Sequence, residues 1–291
     1  MRRPAAFAAV LAGLLWLTGA AAARAEAPMW VVRDADSTII LFGSVHVLPP
    51  GDDWAPPALT EALNDADDLW FEIPFDEASD RDAARQMRRR GLLPAGQTLS
   101  EQLSPETAER LRRVSGRLGL YAPGLERLRP WMAEVTLSLA SDNRAGGRAD
   151  LGVERQLNAT ASPRVRRRAF ETVAEQVEIL AGASEAAQIA TLEQTLTDLE
   201  TDPEGYLRIV EFWRQGDTRR LATETLLPVQ QASPEVYERL ILRRNTRWAG
   251  MIRSRLAGSG QTIMVVGVGH LVGPQGVPAL LRQMGLQVEG P

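Results

Sequence analysis

Apolar residues recur along this chain in two rhythms, as short dense runs near the two ends and at a spacing of three or four residues between them. The segment MWVVRDADSTIILFG, residues 29–43, reads as two strands, because β-branched and aromatic residues flank the polar turn Asp34-Ala-Asp-Ser37. After Pro56-Pro57, the residues Leu59, Ala62, Leu63 and Ala66 keep helical spacing, and this helix runs into a strand at Leu69-Trp70-Phe71-Glu72-Ile73. Alternation along that strand places Leu69, Phe71 and Ile73 on one face and Trp70 and Glu72 on the other.

The middle of the chain reads as helical. Ser104-Pro105-Glu106 is an N-cap followed by proline at the first helical position, and Leu111, Val114 and Leu118 supply an apolar stripe that Gly119 ends. Arg129-Pro130-Trp131 opens a further helix, predicted to align Trp131, Val135 and Leu139 along one face. The break SDNRAGGRADLGVE follows, and then the arginine-rich stretch Val165 to Phe170, expected as an edge strand whose charges discourage foreign pairing. Thr172-Val-Ala-Glu175 has capping-box form and starts a helix with Val173, Val177 and Leu180 on one side. Ser233-Pro234-Glu235 opens the longest helical pattern, through Val236, Leu240, Ile241, Trp248 and Ile252 to Gly258-Ser-Gly260. A strand, a loop, a helix around Pro278 to Met284 and a last strand at Leu286 to Val288 complete the chain. The expected fold is α/β: a mixed central sheet built from N- and C-terminal strand-loop-helix units, with a large helical middle region.

The first 25 residues stand apart. Two arginines precede an apolar run that ends in Ala23-Arg24-Ala25, the form of a secretory leader cleaved after Ala25. Its apolar core is shorter than the roughly 20 residues that span a bilayer. Residues 26–291 are then expected as a single domain, exported to the periplasm or medium and without membrane insertion, since no Gly/Ser/Pro-rich linker divides them.

Composition removes several chemistries. All 33 basic residues are arginine, so a P-loop lysine, Schiff bases and Ser-Lys dyads are excluded. Cysteine is absent, which excludes thiol nucleophiles, thiolate metal sites and disulfides. The net charge of −4 becomes more negative when Arg2, Arg3 and Arg24 leave with the leader, which argues against nucleic acid as a partner. The runs Arg88-Arg89-Arg90 and Arg166-Arg167-Arg168 read as solvated faces. Ser44 lies in no Gly-x-Ser-x-Gly elbow, and no His-Glu-x-x-His is present.

The two histidines that remain share one setting. TIILFGSVH ends at His46 and TIMVVGVGH at His270, each an apolar strand followed by Gly-x-x-His. If both strands point the same way, the two imidazoles meet at one sheet edge. Glu72, among aromatics on a strand expected to be internal, needs a cation or donors if it is buried. Two imidazoles and a carboxylate suit a divalent metal such as Mn, Co or Zn, which would activate water and polarise a carbonyl. Without a metal, one histidine would serve as general base with the glutamate orienting it. Arg244 falls on the core line of Val236, Leu240, Trp248 and Ile252, where it would neutralise Glu72 or a substrate oxyanion, or form a buried structural pair.

Gly43-Ser-Val-His46, Gly267-Val-Gly-His270 and Glu72 in Phe-Glu-Ile-Pro together resemble the TraB/GumN family, which is related to the Tiki metalloproteases and more distantly to erythromycin esterases and the ChaN-like fold. Glu171-Thr172 with Glu175-Gln176 is similar to its central helix start, and Arg244-Asn245 to the pair that precedes its last strand. The resemblance implies a site of His46, Glu72 and His270 faced by Arg244, and metal-dependent hydrolysis of a peptide bond. Gly152-Val-Glu154 departs from it, carrying glutamate where the family usually has aspartate. Two other functions fit the same residues: a non-catalytic protein of the same fold that binds or sequesters a peptide, and a metal-independent esterase-like hydrolase. As an enzyme the chain is expected to take a peptide or small-molecule substrate.

Overall fold

The computed structural model describes residues 26–51 and 53–291. The expected leader, residues 1–25, lies outside the described residues. Six strands form one mixed sheet in the order β4-β3-β5-β2-β1-β6. Strands β1 (Met29–Arg33) and β2 (Ser37–Ser44) make the expected antiparallel hairpin. Asp34 closes its turn, accepting the Ser37 backbone N–H on Oδ1 at 2.8 Å. Strand β5 (Gly260–Gly267) then lies parallel to β2, so the two echoed sequences are direct neighbours, offset by one position, with Gly43 opposite Val266 and Ser44 opposite Gly267.

Strand β3 (Asp68–Phe71) enters on the other side of β5, and β4 (Arg166–Ala169) pairs parallel with β3 at the sheet edge, as the arginine-rich stretch predicts. Its arginines also pin the strand. Arg166 and Arg168 both donate from Nε to Oδ1 of the buried Asp68, each at 2.9 Å. Strand β6 (Val288–Glu289) pairs antiparallel with β1 at the opposite edge.

Strands β2, β3 and β5 are covered on both faces, which is why they read as near-continuous apolar runs. Trp30, Phe42, Phe71 and Val265 from the sheet share a core with Leu59 of the helix Pro57–Asp65, Trp213 of the helix Gly205–Arg214, Trp248 of the helix Arg243–Leu256 and Leu281 of the helix Val277–Gln283. A second core joins Leu111, Val114, Leu137, Leu192 and Leu196 where three helices meet: Pro105–Leu118, Pro130–Arg144 and Glu185–Thr201.

That second core corrects the expected face of the middle helix. Trp131 is buried, but Leu139 is 43% exposed. The inward stripe runs instead through Pro130, Ala133, Leu137 and Ser141, where small residues let the helix approach Glu185–Thr201 closely. The longest helical pattern is also more broken than its spacing suggests. It proceeds from Pro234–Tyr237 through a π-helical turn at Glu238–Leu242 before Arg243–Leu256. No helix among the described residues is long and apolar enough to cross a membrane.

Candidate active site

Four of the strands, β4, β3, β5 and β2, run parallel, so their carboxyl ends form one edge, the place where open α/β sheets hold ligands. Read across that edge, the residues at or just beyond the strand ends are Glu171, Glu72, Gly267 with His270, and His46. The β3–β4 pairing continues past the strand ends, with Glu171 N–H donating to Glu72 O at 2.9 Å, so two buried glutamates emerge side by side. Two adjacent buried carboxylates are untenable without a cation.

Arg244 is that cation. It donates from Nη2 to Glu72 Oε2 at 2.5 Å and from Nε to Glu171 Oε1 at 3.0 Å, and its Nη1 reaches His270 Nε2 at 2.8 Å. Helical spacing places Trp248 one turn further on, where its ring lies 4.6 Å from the guanidinium carbon and 4.5 Å from the His270 ring, and its Nε1 donates to Glu171 Oε1 at 3.2 Å. Trp248 thus shelves the cluster and excludes water from it. Arg247 supplies a second guanidinium to Glu171 at 2.8 Å. Glu72 has two further donors: Oε1 accepts the Gly267 N–H at 2.7 Å, and Oε2 also accepts from Gln176 Nε2 at 3.1 Å.

Asn245 sets the protonation of His270. Its Nδ2 donates to the Gln275 carbonyl at 2.8 Å, which turns Oδ1 toward His270 Nδ1 at 2.7 Å. The proton therefore sits on Nδ1, and Nε2 accepts from Arg244. Burial, with the Arg244 charge beside it, pushes His270 down to about 3, so the ring is neutral. Burial opposes ionisation of Glu72, but Arg244, the imidazoles and the Gly267 N–H overcome it and hold the carboxyl well below its ordinary range.

His46 has a different character. Its side chain is 64% exposed, and its Nδ1 meets the buried Glu154 Oε1 at 2.6 Å. Ser44 Oγ donates to the same oxygen at 2.5 Å and is itself buried, which makes Ser44 a support for the carboxylate rather than a nucleophile. The Glu154 charge raises His46 to about 9. Glu154 reaches the ring because the helix Val153–Thr160 starts against the His46 loop, where a Cβ on Gly152 would land on the His46 carbonyl oxygen. Nε2 of His46 has no hydrogen-bond partner among the described residues and faces Gly267. A Cβ on Gly267 would lie 3.2 Å from His46 Nε2 and 3.2 Å from Glu72 Oε1. Glycine there keeps the space between imidazole and carboxylate open.

His46, Glu72 and His270 thus come to one edge, with Arg244 facing them, but the metal expectation meets an obstacle. Arg244 already occupies His270 Nε2 and Glu72 Oε2, and among the described residues no group of three His, Asp or Glu side chains is placed to hold a metal ion. A permanent cation stands where the metal's charge would be. As arranged, the ligand set does not fit a metal.

The profile of the TraB/PrgY/gumN family matches residues 28–290. The chain belongs to the TraB/PrgY/gumN family. Among its relatives, the uncharacterized protein YbaP of Escherichia coli K12 is 26% identical over 247 residues, covering 83% of this chain and 87% of YbaP. The metalloprotease TIKI1 of Danio rerio is 25% identical over 315 residues, covering 90% of this chain and 62% of TIKI1. No solved structure gives a significant match.

Within this family member, sequence reasoning located His46, Glu72, His270 and Arg244 but gave Glu154, Glu171, Gln176 and Asn245 no roles. Glu154 and Glu171 each carried a signal: one follows the glycine of Gly-x-Glu, the other precedes a capping box. Neither signal says which strand end the side chain will meet.

Proposed function

We propose that this chain is an exported hydrolase of peptide or related amide bonds, acting at the edge formed by His46, Gly267, Glu72 and Arg244. One observation carries the reading: His46 is the only imidazole of the cluster with a free nitrogen, and a buried carboxylate both orients it and holds its proton. An exposed ring so held, with Nε2 open toward the space beside Gly267, is placed to give a proton to the departing amine. His270, neutral and bonded at both nitrogens, positions Arg244 and Glu72.

The likeness to the metalloprotease TIKI1 supports hydrolysis of peptides, with a metal in that relative. For this chain, a metal held by His46, Glu72 and His270 requires Arg244 to leave two of its partners, so the proton-donor reading involves no metal.

The test is digestion of a mixed peptide library by protein recovered from the periplasmic or secreted fraction, where an N-terminus at Glu26 checks the leader. New peptide termini formed in the presence of a chelator support metal-free hydrolysis. Termini that form only after Mn, Co or Zn loading support the metal-dependent form. Peptide binding with no cleavage under either condition would sink the hydrolase reading in favour of a binding protein.

A further inference from the structure

The arginine run on the helix Glu77–Gly91 is more than a solvated face. It borders a cleft that opens from the Arg244 cluster, and we propose that this cleft is the subsite for an acidic stretch of the substrate peptide. The proposal rests on the hydrolase reading for the word substrate, but not for the binding itself.

The cleft has a volume of about 530 Å³ and lies between the helices Glu77–Gly91, Val173–Ala181 and Arg243–Leu256. Arg244 and Glu171 form its inner wall, so whatever fills it abuts the cluster at the strand ends. Ala174, Val177 and Ile179 give it an apolar side. Beyond Arg244 and Glu171 its lining carries five arginines against the two glutamates 175 and 178, with Glu238 outside the lining answering Arg243.

Internal pairing uses only part of that positive charge. Arg244 answers Glu72 and Glu171, Arg247 answers Glu171 and Glu175, Arg90 pairs with Glu178, and Arg243 turns outward to Glu238. Among the described residues Arg89 hydrogen-bonds only Gln86, at 2.6 Å, and has no carboxylate partner, whereas Arg239 donates to the carbonyls of Ile179 and Glu178, at 2.9 and 2.8 Å, and lies 4.0 Å from the Glu178 carboxylate. On the outer surface of the same helix an open hollow of about 560 Å³ shares Gln86 and Arg89 with the cleft and is bordered by Arg88 and by Arg81 and Arg85, which pair with Glu77 and Asp82. Arg88 has no carboxylate partner among the described residues.

Guanidinium groups along a trough with an apolar side match carboxylates carried on short methylene stems. A strand-like peptide advances roughly 3.3 Å per residue, so several acidic residues leading away from the scissile bond would follow the trough. The chain as a whole is acidic, at −4. A basic trough leading from the site of such a protein selects anionic ligands against the general field.

The test is calorimetric titration of the mature protein at low salt with hexaglutamate and with hexaglutamine. The comparison variants are the double substitution Arg88→Glu and Arg89→Glu, and the control Arg112→Glu on the helix Pro105–Leu118, outside both cavities. Circular dichroism confirms that each variant is folded. Hexaglutamate should bind at least about tenfold more tightly than hexaglutamine, and the double variant should lose about tenfold or more while the control loses nothing. Equal binding of the two peptides, or full binding by the double variant, overturns the proposal. So does inorganic tripolyphosphate that binds at these arginines more tightly than the peptide. Binding is read without turnover: a protein that holds hexaglutamate and cleaves nothing keeps this subsite and loses the hydrolase reading. A protein that cleaves acidic and neutral peptides with equal efficiency keeps the hydrolase reading and loses the subsite.

Discussion

Replacing His46 by alanine should lower kcat/KM for peptide cleavage by about 10²- to 10⁴-fold, the range typical of a lost general acid or base. The ring is mostly exposed, so its removal opens no cavity in the sheet core. What it does leave is Glu154, buried, with Ser44 Oγ as its remaining side-chain donor. His46→Gln keeps an amide that can donate to Glu154 but carries no transferable proton at neutral pH. Both variants should therefore be nearly inactive, while the glutamine variant unfolds closer to wild type. Wild-type kcat/KM in folded His46→Ala would remove His46 from the chemistry.

The largest stability effect should come from Arg244→Met. Methionine fills much of the same volume but leaves Glu72 without its guanidinium and Glu171 with Arg247 alone. Removing one member of a buried ion pair typically costs about 3–5 kcal/mol, because the surviving charge stays buried and unpaired. Urea unfolding at neutral pH reads that loss directly. Adding Glu72→Gln to Arg244→Met removes the stranded charge, so the double variant should recover part of the loss, a non-additivity expected for groups in one network. A loss below about 1 kcal/mol for Arg244→Met would mean that the cluster is not held together by this arginine.

The contrast between these two residues follows from where each sits in the sequence. His46 and His270 are legible because each ends a strand with the same glycine spacing, and a parallel β2–β5 pair turns that repetition into proximity. Arg244 is legible because helical spacing puts it on a buried line with Trp248 and Ile252. Glu72 was expected to require a partner if internal, and β3 does lie between β4 and β5. Glu154 and Glu171 were hidden for a common reason. Each owes its place to long-range topology: Glu154 to a helix that docks on the His46 loop 108 residues away, and Glu171 to β4 joining the far side of β3. No local pattern encodes those crossings. The misplaced face of Pro130–Arg144 has a different origin. There the apolar residues Val135 and Leu139 fit helical spacing, but close approach to Glu185–Thr201 is made by alanine and serine, which carry little hydrophobic signal.

The central claim is that His46 is a proton donor whose proton is held by Glu154, and a pH–rate profile tests it most directly. Below its pKa the imidazole is protonated and competent, and above it the donor is lost, so kcat/KM for the wild type should fall as pH rises through about 9. Glu154 is the main cause of that elevation, so in Glu154→Gln the same limb should move down toward the ordinary histidine value of 6.5. A limb that stays near its wild-type position in Glu154→Gln, or a rate that rises rather than falls through pH 9, would contradict it.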